Sequence, residues 1–126
     1  MQGNNNRPIF LDLTRIRFPV TALVSIGHRV SGVMLFLSMP WVFYLFDLSL
    51  QGPEGFARAS AILSQPFVKV LLIPYAWFLS HHLLAGIRHL LLDMEIGVER
   101  ESARLGAVAV LSVGAVMAMV VVVGIW

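Results

Sequence analysis

The chain has 126 residues, of which 58% are hydrophobic and 13% charged, with a formal net charge of +2 and a mean hydropathy of +0.82. So few charges cannot clothe a water-soluble domain of this size, so the solvent implied is lipid; long apolar runs without strand-like alternation make the spanning elements helices. Cysteine is absent, which excludes disulfides, thiolate metal sites and iron–sulphur ligation on this chain, and the small positive balance bears on membrane orientation, not on nucleic-acid binding.

Residues 1–18 are polar and contain no signal-peptide core, so they are expected to stay in the cytoplasm. Residues 19–46 form the first expected span. Pro19 suits a helix start, His28 and Arg29 interrupt the apolar run, and Pro40 is expected to kink it. Residues 47–65 are expected to be a periplasmic loop, broken at Gly52-Pro53, in which "PEGFARASAIL" has the makings of a short surface helix. Residues 66–93 form the second span, with Lys69 placed to snorkel and Pro74 to kink. The charged link 94–104 must lie in water, and residues 105–126 form an uncharged third span.

The fold class expected is therefore an all-α, three-span membrane domain. Arg7, Arg15, Arg17, Arg29, Arg88, Arg100 and Arg104 fall on one side of it, against Arg58 and Lys69 on the other. That imbalance places the N-terminus in the cytoplasm.

Two clusters of ionisable residues sit inside these spans. In "HHLLAGIRHLLLD", His82, Gly86, His89 and Asp93 follow the spacing of one helix face. In "SIGHRVSG", Ser25, His28, Arg29 and Gly32 do the same. Antiparallel packing would bring Ser25, His28, Arg29, His89 and Asp93 to one level, with His82 about 10 Å deeper. Charged or titratable groups in hydrocarbon are costly and mark either a function or a buried pairing.

Each has a functional and a structural reading. His82 is either an axial ligand to a haem iron or a histidine bonded to a neighbouring helix. His81, about 100° around the helix, cannot share that iron and is expected to pack against another helix. His28 and His89 lie too shallow to face His82 across one metal, so a second ligand would come from another polypeptide; a His28–His89 pair is the alternative. Arg29, Arg88 and His28 either snorkel to lipid phosphates or pair with haem propionates. Ser25 either bonds a carbonyl of its own helix or donates to a quinone carbonyl. Asp93 either ends its helix or pairs with a base such as Arg88. Gly114 and Ala118, four apart, permit close helix packing.

"RPIFLDLTRIRFPVTALVSIGHRVS" and "HLLAGIRHLLLD" resemble the two signature stretches of the cytochrome b subunits of succinate dehydrogenase, the larger membrane anchors of succinate:ubiquinone oxidoreductase. Arg7-Pro8, Ser25, His28-Arg29 and Ser31 match the first stretch, and His82, Gly86-Ile87-Arg88-His89 and Asp93 the second. The likeness covers most of the chain and is weakest in the last span. Leu92 stands where the family usually has an aromatic residue or methionine.

The resemblance implies a bundle shared with a second three-helix anchor subunit, together with an iron–sulphur subunit and a flavoprotein that oxidises succinate. It implies one haem b shared by the two anchors, with His82 as this chain's iron ligand, and His28, Arg29, Gly86 and His89 around the haem and its propionates. It implies a ubiquinone site with Ser25 and Arg29, no other catalytic residue on this chain, and the bacterial inner membrane as location. Some members assemble as trimers of the heterotetramer. The alternatives are a quinol:fumarate reductase anchor, the same machine run in reverse, or a structural anchor without redox role. A transporter would need polar groups through the whole membrane, and here they stop halfway.

Overall fold

The computed structural model describes residues 17–125; Arg7, Pro8, Arg15 and Trp126 lie outside them. Four helices follow in order: α1 (Val20–Leu50), α2 (Gly52–Leu63), α3 (Pro66–Asp93) and α4 (Arg100–Ile125). At 1.5 Å per residue, α1, α3 and α4 are about 46, 42 and 39 Å long, more than a hydrocarbon core of about 30 Å requires. All three are apolar enough to cross a membrane, and the described residues form no strand. This is an all-α, multi-pass membrane protein.

The boundaries follow local chemistry. Pro19 sits just outside α1 as its N-cap, in extended conformation, and its carbonyl accepts from the amides of Ala22 (3.0 Å) and Leu23 (3.2 Å). Helix α1 continues through Pro40 and past residue 46 to Leu50, because "LFDLSL" contains nothing that stops a helix. The break comes at Gly52, whose φ of +86° turns the chain back. Gly55 then lies directly against the Leu48 carbonyl, where any side chain would collide with backbone. Most of the stretch expected as loop is therefore helical: α2 folds onto the end of α1, burying Ala59 and Leu48 and leaving Phe56 exposed.

Proline opens α3 at its first position. Its far end closes on a left-handed turn: Glu95, at φ 61°, donates its amide to the Leu92 carbonyl (3.0 Å), and Ile96 donates to the Leu91 carbonyl (2.9 Å). Lys69, near the start of α3, donates to the Ile125 carbonyl at 2.7 Å, tying the opening of α3 to the end of α4.

Helix α3 packs against both α1 and α4, with α1 and α4 also in contact. The core is small: Val24, Ala85, Ala107 and Val110, flanked by Val20, Leu84 and Leu111. Most large apolar side chains face outward, Phe36, Leu37, Leu83 and Val123 among them, as lipid or neighbouring subunits allow. Among the described residues, the largest completely enclosed side chains are His81, Val24 and Ser31. Two of these three are polar, so the centre of the bundle was not built for apolar burial alone.

Candidate functional site

About two and a half turns of α1, from Val24 to Gly32, cross the stretch of α3 from Trp77 to His89. The crossing is tight because α1 carries glycines there. A side chain on Gly27 would place its Cβ 2.7 Å from His81 Nε2, and one on Gly32 would lie 2.9 Å from His82 Cε1. Both distances are shorter than real carbon contacts permit, so each glycine is a notch cut for one imidazole.

The two adjacent histidines grip α1 one turn apart. His81 Nε2 lies 3.3 Å from the Val24 carbonyl oxygen. His82 Nδ1 lies 3.1 Å from the His28 carbonyl oxygen and 3.3 Å from Ser31 Oγ. Ser31 Oγ donates to that same carbonyl at 2.9 Å. A carbonyl only accepts, so the proton must sit on the histidine nitrogen in each case. His81 is thereby the Nε2–H tautomer and His82 the Nδ1–H tautomer. Consecutive residues of one helix carry their protons on opposite sides of the ring.

The consequences differ. Both nitrogens of His81 are enclosed by this chain: Nε2 is spent on Val24, and Nδ1 is buried without a hydrogen-bond partner among the described residues. Its ring stacks on Trp77 (centroids 4.8 Å apart, planes within 17°) and its backbone lies beside Gly114 of α4. His82 is only half-buried. Its Nδ1–H is oriented by a carbonyl, so the lone pair of Nε2 is left available. A metal-binding imidazole is held in the same way, by a hydrogen bond from the nitrogen that does not bind the metal.

His28 departs from the level expected of it. Its ring stacks flat on His82, with centroids 4.2 Å apart and planes within 7°, rather than lying a level below. It also approaches His89 (5.1 Å, tilted 58°), and its Nε2 is 3.4 Å from where a Cβ on Gly86 would lie. The histidine side chain reaches along the groove that Gly86 leaves open, so the notch at Gly86 is filled by a ring of this same chain. Imidazole lone pairs lie in the ring plane, so rings stacked face to face cannot point them at one metal between them. Among the described residues no three metal-binding side chains converge.

Ser25 and Arg29, one turn apart on α1, lie off the face that His81 and His82 grip. Arg29 is exposed and Ser25 half-buried. Ser31, Ser38 and Ser80 bond carbonyls three or four residues back; no such bond is formed by Ser25 among the described residues. Arg88 points the other way: its Nη2 donates to the Ala103 carbonyl of α4 at 3.1 Å, and its Nε lies 3.6 Å from where a Cβ on Gly106 would be. It neither snorkels nor reaches the His82 face. Asp93 is the exposed last residue of α3.

The structure thus gathers His28, His82, Gly86 and His89 into one array, sets Ser25 and Arg29 on its flank, and sends Arg88 to α4. The sequence reading did not anticipate the notches for His81 and His82 at Gly27 and Gly32, nor the Ser31 bridge. The signal was present as two glycines five residues apart facing two adjacent histidines.

Residues 3–123 match the family described as succinate dehydrogenase/fumarate reductase transmembrane subunit. The chain belongs to this family. The succinate dehydrogenase cytochrome b556 subunit of Coxiella burnetii is 36% identical over 124 residues, 98% of each chain. The b556 subunit of Paracoccus denitrificans is 30% identical, covering 93% of this chain and 90% of its own. The cytochrome b560 subunit of Porphyra purpurea is 31% identical over 106 residues, 79% of this chain and 81% of its own. As a member of this family the chain is a membrane subunit of the succinate dehydrogenase type.

Proposed function

We propose that this chain is the haem b-binding anchor of a bacterial succinate dehydrogenase and supplies part of its ubiquinone-reduction site. The carrying observation is the state of His82. Its Nδ1–H is fixed by the His28 carbonyl, no group among the described residues claims its Nε2 lone pair, and it bonds the peptide that leads into Arg29. The relatives named cytochrome b556 subunits support the cofactor, and their names favour succinate oxidation over the fumarate reductase direction.

In this reading the N-terminus of α1 and the link between α3 and α4 face the cytoplasm of the inner membrane, where the arginine-rich side belongs. A second membrane anchor, an iron–sulphur subunit and a flavoprotein complete the enzyme. The outward apolar faces of α1 and α3 accommodate the second anchor and lipid.

When bound, haem b supplies a one-electron redox centre. His82 Nε2 would hold the iron, and the Ser31–His28 carbonyl contacts keep its ring from rotating. A second ligand to the iron would come from the other anchor, because His28 meets His82 face on. Arg29 would offer positive charge, and His28 a hydrogen bond, to the haem propionates.

Ubiquinone accepts two electrons, delivered from the iron–sulphur partner, and two protons to become ubiquinol. Ser25 Oγ–H, uncommitted within its helix, donates to one quinone carbonyl. The Arg29 guanidinium stabilises negative charge as it develops on the reduced oxygen. Both lie near the cytoplasmic end of α1, within reach of water, so protons need not cross hydrocarbon.

The test is a reduced-minus-oxidised absorption spectrum of the purified complex. Wild type shows a low-spin haem, and His82→Leu loses that signal. A complex free of haem, or an unchanged spectrum in His82→Leu, overturns the reading.

A further inference from the structure

We infer that His81 is a positioning residue for the quinone site: with Gly27, it holds the Ser25 turn of α1 in register with the haem-side array of α3. This rests on the reading above for what Ser25 and Arg29 do.

His81 is 1% exposed, and no part of the chemistry proposed above uses it. A titratable side chain enclosed at the centre of a membrane bundle is expensive, and here the expense is compounded by an Nδ1 with no hydrogen-bond partner among the described residues. A leucine would fill the space more favourably. What the imidazole does provide is a donor aimed out of α3 at the Val24 carbonyl. That carbonyl belongs to the peptide joining Val24 to Ser25. Likewise His82 bonds the carbonyl of the peptide joining His28 to Arg29. Each of the two residues assigned to the quinone therefore begins at a peptide held by one of the two adjacent histidines.

The grip is specific in direction as well as in distance. The ring of His81 stacks on Trp77 of its own helix and its Nε2 end fits the notch at Gly27, with Gly114 of α4 behind its backbone. Sliding α1 along α3 in either direction moves the Gly27 notch off that ring and breaks the bond to Val24. The two histidines form a two-point clamp one helical turn long. One point fixes the ligand ring of His82, and the other fixes the axial height of Ser25 relative to it.

The experiment uses the whole complex in native membranes, with His81→Phe, His81→Gln, Gly27→Ala and Ser25→Ala. Phenylalanine keeps the stack on Trp77 and removes the donor. Glutamine places an amide N–H near where Nε2 lies. The methyl of Gly27→Ala falls on Nε2. Each variant is assayed for succinate:ubiquinone and succinate:dye activity, quinone KM and kcat, and haem spectrum. We expect His81→Phe and Gly27→Ala to lower kcat/KM for ubiquinone about fivefold, the size of one lost net hydrogen bond. The change should fall mainly on KM, with dye activity and the low-spin spectrum retained. His81→Gln should restore most of the loss.

Normal quinone kinetics in His81→Phe beside impaired Ser25→Ala overturn the clamp and leave the quinone site standing. Normal kinetics in Ser25→Ala overturn both. If His81→Phe does not assemble, the glutamine variant decides: assembly with near-normal KM supports the donor role. Failure of both, or a glutamine variant as impaired as phenylalanine, overturns it. Loss of haem in His81→Gln would make His81 the ligand and overturn the clamp outright.

Discussion

Helices α1 and α3 meet through imidazoles, glycines and main-chain carbonyls, whereas α4 meets the same pair through Ala107, Val110 and Gly114. The polar crossing pays for buried nitrogen atoms and gains fixed ring orientations. The apolar one gains close approach along its length and is hydrogen-bonded at its two ends, by Arg88 to the Ala103 carbonyl and by Lys69 to the Ile125 carbonyl. In lipid the hydrophobic effect does not drive helices together, so packing and interhelical hydrogen bonds must do so. This molecule separates those two means: the α1–α3 interface carries hydrogen bonds at its centre together with the candidate site, and the α4 interface carries shape at its centre and hydrogen bonds only at its ends.

The largest test of that division strikes the flank of the polar crossing. Arg29→Leu should lower succinate:ubiquinone activity by about 100-fold, the order seen when a charge-stabilising group is removed from a reaction centre. Ser25→Ala should lower it about tenfold, as for one hydrogen bond to the reacting carbonyl and its alignment. Succinate oxidation by a soluble dye should survive in both, because neither residue touches succinate. Normal ubiquinone rates in both variants would leave α1 with no more chemistry than α4.

A smaller effect is expected on the shape side. A Cβ on Gly114 would lie 3.7 Å from Trp77 Nε1 and 3.9 Å from His81 Cβ. Alanine therefore fits, and Gly114→Ala should be close to neutral. Gly114→Leu overpacks the contact and should cost about 1–3 kcal/mol, read as a lower midpoint for thermal dissociation of the complex. The haem spectrum should persist until that midpoint is reached. If Gly114→Leu instead abolishes haem at low temperature, the two interfaces are not separable.

The same division explains what could be read from the sequence. Three helical spans were legible because hydropathy over 18 or more residues is an averaged property, and single errors cancel. The grouping of His82 with Gly86 and His89 was legible because helical periodicity fixes which residues share a face. The level of the His28 ring was not, because periodicity places Cα atoms while the long side chain chooses a rotamer against the opposite helix. The clamp by His81 was hidden for a related reason: it depends on the crossing point of two helices, which neither helix encodes alone. Residues 52–63 were expected as loop with a helical stretch inside it because Gly52-Pro53 reads as a breaker. In the structure that pair turns the chain and then opens α2, with Pro53 tolerated in the first turn.

The smallest expected effect lies away from both interfaces, at the turn that ends α3. Glu95 adopts φ 61°, a left-handed conformation that costs an L-residue about 1–2 kcal/mol. It is tolerated because the turn satisfies two carbonyls, those of Leu91 and Leu92, at the helix end. Glycine removes the Cβ conflict but brings a more flexible unfolded chain, a penalty of about 0.5–1 kcal/mol. The net gain from Glu95→Gly should therefore be about 0.5–1 kcal/mol. Two residues on, Gly97 holds φ 75°, and Gly97→Ala should shift stability by a similar amount in the opposite direction. Hydrogen exchange at the Ile96 amide reads both: slower by about two- to fivefold in the first variant, faster in the second. Neither should alter quinone kinetics or the haem spectrum, because the turn touches neither the His82 array nor the Ser25 flank. A change in either would mean that the α3–α4 link, and not only the α1–α3 crossing, sets the height of α3, and that the chemical interface extends beyond the two helices that carry its side chains.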